Sequence, residues 1–150
     1  MAVRRRDGGP VVIKNAPFLD DGTPMPTLYW LVGRPEREAV SRLEAAGGVR
    51  EAEREADPEA LSAAHARYSA ERDAAARRLL EGHPCGDEPR PWPAGGVGGT
   101  RRGVKCLHAH LAWYLAGGDD PVGEWAAGRL GIAREGYVAG PAGLAERAGG

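Results

Sequence analysis

Residues 27–32 read TLYWLV, the densest run of large apolar side chains in this 150-residue chain. Pro26 precedes the run and Gly33 follows it. A short continuous apolar run with turn residues at both ends is typical of a strand that is covered on both faces. We therefore expect Trp30 or its two neighbours to be largely buried.

A second strand is predicted upstream of that run. Residues 11–13, Val-Val-Ile, form the only β-branched triplet in the chain, a pattern that favours a strand. The connecting segment at residues 15–27 holds three prolines, and Asp21-Gly22 marks a turn at its middle. The sequence thus predicts a small sheet of two or three strands in the N-terminal third.

Three segments downstream predict helices, at residues 35–46, 58–80 and 104–116. A proline opens each of the first two, Asp57 is a good N-cap for the second, and glycines follow all three. A small sheet packed by about three helices is an α+β fold. Residues 126–150 are mostly alanine, glycine and arginine, and they predict a flexible tail.

The helix predicted at 58–80 allows two interpretations. Its apolar positions recur at about the helical period, but His65 and Arg72 lie on the same stripe. Mixed acidic and basic residues favour a solvated helix with a thin alanine-rich contact face, and the alternative is a helix that binds a protein partner. We expect His65 and His83 to be surface or turn residues.

Composition excludes several classes of protein. Basic and acidic residues nearly balance, with a net charge of −1, which removes the long-range attraction that non-specific nucleic-acid binding needs. No apolar stretch approaches the roughly 20 residues of a membrane-spanning helix. The two cysteines do not make a secreted disulfide framework. We expect a cytoplasmic protein of one domain, and the sequence indicates no particular cofactor.

The loop before the third helix carries the predicted chemistry. Residues 82–103 are rich in glycine and proline, and residues 95–105 read GGVGGTRRGVK. Glycines let backbone N–H groups converge, and the unpaired amides of a helix start favour an anion. The candidate anion ligands are Gly98, Gly99, Arg101, Arg102 and Lys105. Two interpretations of the loop therefore remain: a site for a phosphate or carboxylate, or a flexible turn with solvated arginines.

The same loop does not match a nucleotide-binding P-loop. Val104 stands where that motif has lysine, and no serine or threonine follows. The turn at residues 20–24, DDGTP, offers Asp20 and Asp21 as further candidate ligands. Aspartates in such turns more often bond their own backbone.

A helical wheel places Cys106 and His110 on one face of the third helix, with His108 at the edge of the opposite leucine stripe. Cys106 and His110 are candidates for a nucleophile and its base, for metal ligands at i and i+4, or for packing residues. Two further metal ligands would have to come from His83, Cys85, Asp20 and Asp21. Their spacing matches no zinc pattern, and we assign no metal site.

The charge around Cys106 predicts its reactivity. It lies at a helix start beside Lys105, whereas Cys85 has an acidic pair close by. If Cys106 is exposed, its pKa should be the lower of the two, because cations and helix amides favour the thiolate. Burial would oppose this by disfavouring the charged form, which would favour the packing interpretation.

Three segments resemble one known family. They are LDDGTPMPTLYWLV at 19–32, AVSRLEAAGGV at 39–49 and GVGGTRRGVKCLHAHLAWYLAGGDDPVG at 96–123. They are similar to the actinobacterial domain-of-unknown-function family numbered 501. The resemblance covers roughly residues 8–125, taken here as a single domain, and implies no particular activity. Members carry cysteines before the first strand and after the second, which this chain lacks, so the resemblance implies no cysteine-rich metal centre here.

The sequence therefore leads to two hypotheses of different class. The first is an uncharacterised protein that binds a phosphate-type anion at residues 95–105, with Cys106 and His110 adjacent. The alternative is a non-catalytic interaction protein that uses helix 58–80. The first gains if the turn at 20–24 and the glycine-rich loop converge on one pocket at Cys106, and the second gains if they lie apart.

Overall fold

Residues 2–83 and 90–139 are described by a computed structural model of the chain. Within these ranges the strands are β1 (Val3–Arg5), β2 (Pro10–Lys14), β3 (Tyr29–Leu31) and β4 (Tyr137–Ala139). The α-helices are α1 (Arg34–Ala45), α2 (Gly48–Glu55), α3 (Pro58–Leu80), α4 (Leu107–Leu115) and α5 (Pro121–Leu130). An antiparallel sheet with separate helices confirms the predicted α+β class.

The sheet has the strand order β3-β2-β1-β4, with antiparallel pairing throughout. Ile13 of β2 pairs with Trp30 of β3. Successive side chains of a strand point to opposite faces, and α4 packs on β3. Tyr29 and Leu31 are buried, whereas Trp30 is 43% exposed and Ile13 is 36% exposed. The prediction that this run is covered on both faces is therefore wrong for Trp30.

The helices predicted at 35–46 and 58–80 correspond to α1 and α3. Asp57 caps α3, with its carboxylate accepting a hydrogen bond from the amide of Ala60 at 3.1 Å. The sequence prediction omits α2, because two adjacent glycines indicate a helix end. Gly47 alone makes the turn, with a φ of 91°, and Gly48 already belongs to α2.

The prediction of a flexible tail from residue 126 onward is wrong for residues 126–139. Helix α5 continues to Leu130, and Ala126 and Ala127 are buried in it. Strand β4 then pairs with β1, with Val3 opposite Ala139. Residues 126–139 are thus part of the fold because they fill the core and add β4, so the sheet has four strands among the described residues rather than two or three. The rest of the predicted tail, 140–150, lies outside the described residues.

Partly buried polar side chains join α3, α4 and β3 at the border of the core. The indole N–H of Trp113 donates to Glu71 Oε2 at 2.9 Å, and the hydroxyl of Tyr29 donates to Glu71 Oε1 at 2.5 Å. The ring of Tyr68 meets that of Trp113 edge to face at 5.1 Å. This network fixes the position of α4 against the sheet, and with it the start of α4, where the site residues lie.

Two leucines of the same segment test the core assignment. Leu28 is fully buried, whereas Leu19 is 46% exposed. Leu28→Ala is expected to lower the free energy of unfolding by about 2–5 kcal/mol, because it leaves a cavity. Leu19→Ala is the matched control and should change it by only about 0.5 kcal/mol. Urea denaturation measures both, and equal effects would contradict the assignment.

Candidate functional site

The buried side chain of Arg72 in α3 binds the backbone of the glycine-rich loop. Its side chain is 1% exposed, and its guanidinium donates to the carbonyl oxygen of Gly95 at 2.6 Å and to that of Pro26 at 3.4 Å. It also donates to the hydroxyl of Ser69 at 2.9 Å. One buried cation therefore joins α3 to the loop and to the segment that leads into β3.

His65, about two turns earlier on α3, holds the same loop at two further points. Its Nδ1 accepts a hydrogen bond from the amide of Val97 at 3.1 Å, so the ring proton lies on Nε2 and is donated to Gly103 O at 2.9 Å. Burial lowers the pKa of His65. The expectation that His65 is a surface residue is wrong, because the loop covers it. His83 is exposed, as expected.

Two amides between the end of the loop and the start of α4 already have acceptors within the protein. The N–H of Val104 donates to Glu53 Oε1 at 2.9 Å, and the N–H of Leu107 donates to Glu44 Oε2 at 2.8 Å. Both carboxylates come from helices that pack near the start of α4. An anion bound by these amides would compete with two carboxylates that the fold itself supplies.

The predicted cationic ligands are divided between two depressions. Arg101 and Arg102 are exposed and line a groove with Glu53 beside the start of α3. Lys105 and Gly98 line a different cleft, next to Cys106. Gly99 is exposed, with a φ of 84°. The structure therefore does not gather the predicted loop ligands around one point.

The aspartates of the 20–24 turn serve the turn itself. Asp20 and Asp21 are exposed, and Asp21 Oδ1 accepts a hydrogen bond from the amide of Thr23 at 2.9 Å. The hydrogen bonds from Thr23 lower the pKa of Asp21. Neither aspartate is among the residues that line the cleft at Cys106. Of the two roles open to these residues, the structure favours bonding of their own backbone.

The cleft at Cys106, with a volume of about 740 Å³, lies between the open face of β2–β3 and the start of α4. Ile13 and Trp30 contribute apolar surface, and the cationic residues Arg37 and Lys105 line it as well. Among the described residues that line it there is no aspartate or glutamate. We refer to it below as the β3–α4 cleft.

Cys106 lies beside His108, not beside His110. Its backbone is extended (φ −152°, ψ 122°), because α4 begins only at Leu107. A wheel that includes Cys106 therefore assigns it to the wrong face. Its Sγ lies 3.7 Å from His108 Nδ1, and the same nitrogen lies 3.0 Å from Glu44 Oε1. These three side chains are the candidates among the described residues for holding a metal ion.

The surroundings of Cys106 do not make it a strong nucleophile. Burial raises the pKa of its thiol, and the negative charge of Glu44 adds to that rise, while the amides of Ala109 and His108 act in the opposite direction. The lower pKa was predicted only for an exposed Cys106, and because Cys106 is half-buried the opposing effect of burial applies. The comparison with the pKa of Cys85 stays a prediction. Cys85 lies outside the described residues.

His110 is fully buried and links two helices. Its Nδ1 lies 2.6 Å from Asp120 Oδ2, and Asp120 Oδ1 accepts a hydrogen bond from the amide of Val122, which caps α5. The ring of His65 lies 5.8 Å away. Among the described residues, His110 Nε2 has no hydrogen-bond partner. Of the three roles open to His110, this geometry favours packing.

The functional candidates that the sequence analysis missed are acidic. Glu44 and Glu53 were assigned no role, although each bonds an amide near the start of α4. Asp120 is a third such residue, because it pairs with His110 and caps α5. No local pattern distinguishes Glu44 and Glu53 from solvated carboxylates, since their partners lie 63 and 51 residues away.

Helix α3 packs one face into its own domain. The buried residues on that face are Leu61, Ala64, His65, Tyr68, Arg72 and Ala76. This agrees with a helix that has one contact face and one solvated face. Because the turn at 20–24 does not line the cleft at Cys106, the criterion given above counts toward the partner-binding hypothesis for residues 58–80, which stays a prediction.

Residues 1–128 match a protein-family model described as "Protein of unknown function (DUF501)". The match covers most of the chain, so the chain belongs to that family, as the resemblance indicated. No curated protein and no solved structure matches this chain. None of the described helices combines the length and the apolar character that crossing a membrane requires.

Alkylation of Cys106 tests the site's electrostatics in a Cys85→Ser background. We expect the pH midpoint of the iodoacetamide reaction to be higher in the native protein than in the urea-unfolded protein, because burial disfavours the thiolate. Glu44→Gln should lower the native midpoint by removing a nearby negative charge. Glu53→Gln is the matched control and should leave it unchanged. A native midpoint at or below the unfolded one would show that the thiolate is favoured.

Proposed function

We propose that this member of the DUF501 family binds a small molecule that carries a phosphate or carboxylate group together with an apolar part, in the β3–α4 cleft. The observation that carries the proposal is the composition of that cleft, in which Arg37 and Lys105 meet no acidic residue among the described lining residues. The proposed anion site is therefore the β3–α4 cleft and not the backbone of the glycine-rich loop. Of the loop residues predicted as ligands, Gly98 and Lys105 line this cleft.

The two cations reach the cleft from distant parts of the sequence. Arg37 belongs to α1 and Lys105 precedes α4, and both are exposed. Neither forms an ion pair with a described carboxylate. Charges of one sign in a concave site raise the local concentration of an oppositely charged ligand. This arrangement supports an anionic ligand.

The apolar part of the ligand is inferred from the open face of the sheet. Trp30 and Ile13 are cross-strand neighbours, and both are partly exposed in the cleft. Ligand sites are commonly apolar pockets with a few placed polar groups, and an indole favours stacking on planar groups. A phosphate or carboxylate joined to an aromatic or aliphatic group fits both halves of the cleft.

The proposal concerns ligand binding and assigns no reaction. Cys106 and His108 line the same β3–α4 cleft. We also propose the cytoplasm as the compartment, as the sequence predicts. A reducing compartment keeps a half-buried thiol such as Cys106 in its free form.

Thermal-shift measurements at matched ionic strength test the proposal, with inorganic phosphate, phenyl phosphate and benzoate as probes. We expect phenyl phosphate to stabilise the wild type more than inorganic phosphate does, because only the former uses the apolar wall. A ligand at 100 times its Kd stabilises the folded state by about 2.7 kcal/mol. Arg37→Ala/Lys105→Ala should abolish most of that stabilisation.

The control for this pair is Arg101→Ala/Arg102→Ala, which removes the same number of positive charges. It should retain the stabilisation, because these arginines line the other groove. If phenyl phosphate no longer stabilises the Arg101→Ala/Arg102→Ala variant but still stabilises the Arg37→Ala/Lys105→Ala variant, the anion binds at the loop and not in the β3–α4 cleft. No stabilisation of the wild type by any probe would contradict anion binding altogether.

A further inference from the structure

The donor atoms of Glu44, Cys106 and His108 all lie within 4.8 Å of one another. We name these three residues the 106 cluster and infer that it binds one Zn²⁺ ion through Cys106 Sγ, His108 Nδ1 and a carboxylate oxygen of Glu44. This inference goes beyond the anion proposal and does not rest on it, since cation binding is measured without an anionic ligand.

The distances within the 106 cluster are close to those of a tetrahedral zinc site. Zn–S bonds of about 2.3 Å and Zn–N or Zn–O bonds of about 2.0–2.1 Å place a sulfur and a nitrogen ligand about 3.6 Å apart, and a nitrogen and an oxygen ligand about 3.4 Å apart. In the structure, Cys106 Sγ and His108 Nδ1 are 3.7 Å apart, and His108 Nδ1 and Glu44 Oε1 are 3.0 Å apart. Small side-chain rotations therefore suffice to admit the ion.

Neighbouring groups already orient two of the three ligands. The hydroxyl of Ser41 lies 3.3 Å from His108 Nε2, which leaves Nδ1 directed at the other two donors. The amide of Leu107 donates to Glu44 Oε2 and leaves Oε1 toward His108. Metal-binding histidines and carboxylates are characteristically held by such contacts through their second polar atom.

The chemistry of the donors selects the ion. One sulfur, one nitrogen and one oxygen ligand suit borderline-soft Zn²⁺, whereas Mg²⁺ and Ca²⁺ prefer oxygen alone. Binding releases the thiol proton of Cys106 to solvent. The thiolate and the carboxylate then balance the two charges of the ion. This balance accounts for a thiol and a carboxylate lying so close together in a partly buried place.

The 106 cluster supplies three protein ligands, one fewer than a closed structural zinc site. Cys106 and His108 also line the β3–α4 cleft, so the fourth position is open to water or to a ligand in that cleft. Three protein ligands with one open position are the arrangement of catalytic zinc sites. The 106 cluster is thus a metal site of the open kind.

Cobalt titration of the full chain in a Cys85→Ser background tests the inference, because Cys106 is then the only thiol. We expect one Co²⁺ per chain and a near-ultraviolet charge-transfer band from the thiolate–cobalt bond. Added Zn²⁺ should displace Co²⁺ and remove the band. Cys106→Ser, in the same background, should not show the band.

Two further variants test the other ligands by competition for Zn²⁺ against a chelator. His108→Ala and Glu44→Gln should each weaken Zn²⁺ binding by at least about tenfold. Glu53→Gln is the matched control, since Glu53 bonds an amide in the same way but lies outside the 106 cluster. The Glu44→Gln variant keeps an oxygen for the amide of Leu107. Circular dichroism of each metal-free variant verifies its fold.

Two results would overturn the inference. One is the absence of a thiolate–cobalt band in the folded Cys85→Ser protein. The other is equal Zn²⁺ affinity in the folded Glu44→Gln, His108→Ala and Glu53→Gln variants, which would locate the ion elsewhere. Neither result bears on the stabilisation by phenyl phosphate in metal-free buffer, so the two proposals fail separately.

Discussion

The guanidinium of Arg72 brings a full positive charge into the interior of the protein, and the rest of the fold is arranged around satisfying it. A buried charge is tolerated only when its hydrogen bonds are made. Arg72 makes most of them with carbonyl oxygens of Gly95 and Pro26, which lie on two different loops, and with Ser69 and Asp73 on its own helix. Helix α3, the glycine-rich loop and the entry to β3 therefore depend on one another. Displacing either loop would remove a carbonyl acceptor from the buried cation and leave it with the other loop and with Ser69 and Asp73 of its own helix, which is destabilising.

The position of the candidate site follows from that constraint. With the loop fixed on Arg72 and His65, Lys105 and Cys106 leave it at a defined place beside β3. Glu44 and Glu53 then dock α1 and α2 on the amides at the start of α4. The residues that surround Cys106 are thus brought together by contacts across the chain and not by their spacing in sequence.

Local signals sufficed for the elements whose patterns are complete within a few residues. The triplet at 11–13, the apolar run at 27–32 and the Asp57 cap gave β2, β3 and α3 in their correct places. Helix α2 was missed because the two glycines at its start were interpreted as a helix end. Strand β4 was missed because it gains stability only from pairing with β1. The Cys106–His108 pair was missed because a helical wheel assumes helical backbone at Cys106, where the chain is extended. The stripe that His65 and Arg72 share was noticed, but only the tertiary structure shows that it is buried.

The pairing of β1 with β4 has a consequence for how the chain folds. β1 lies between β2 and β4, so its second edge stays open until residues 137–139 arrive, although its first partner follows only a few residues later. Contacts between residues so far apart carry a large loop-closure cost and slow folding. During synthesis, β1 presents free backbone N–H and C=O groups to any other extended segment, the hazard of an unprotected strand edge. Strand β4 covers that edge of β1, so a chain cut before residue 137 would leave the edge unpaired.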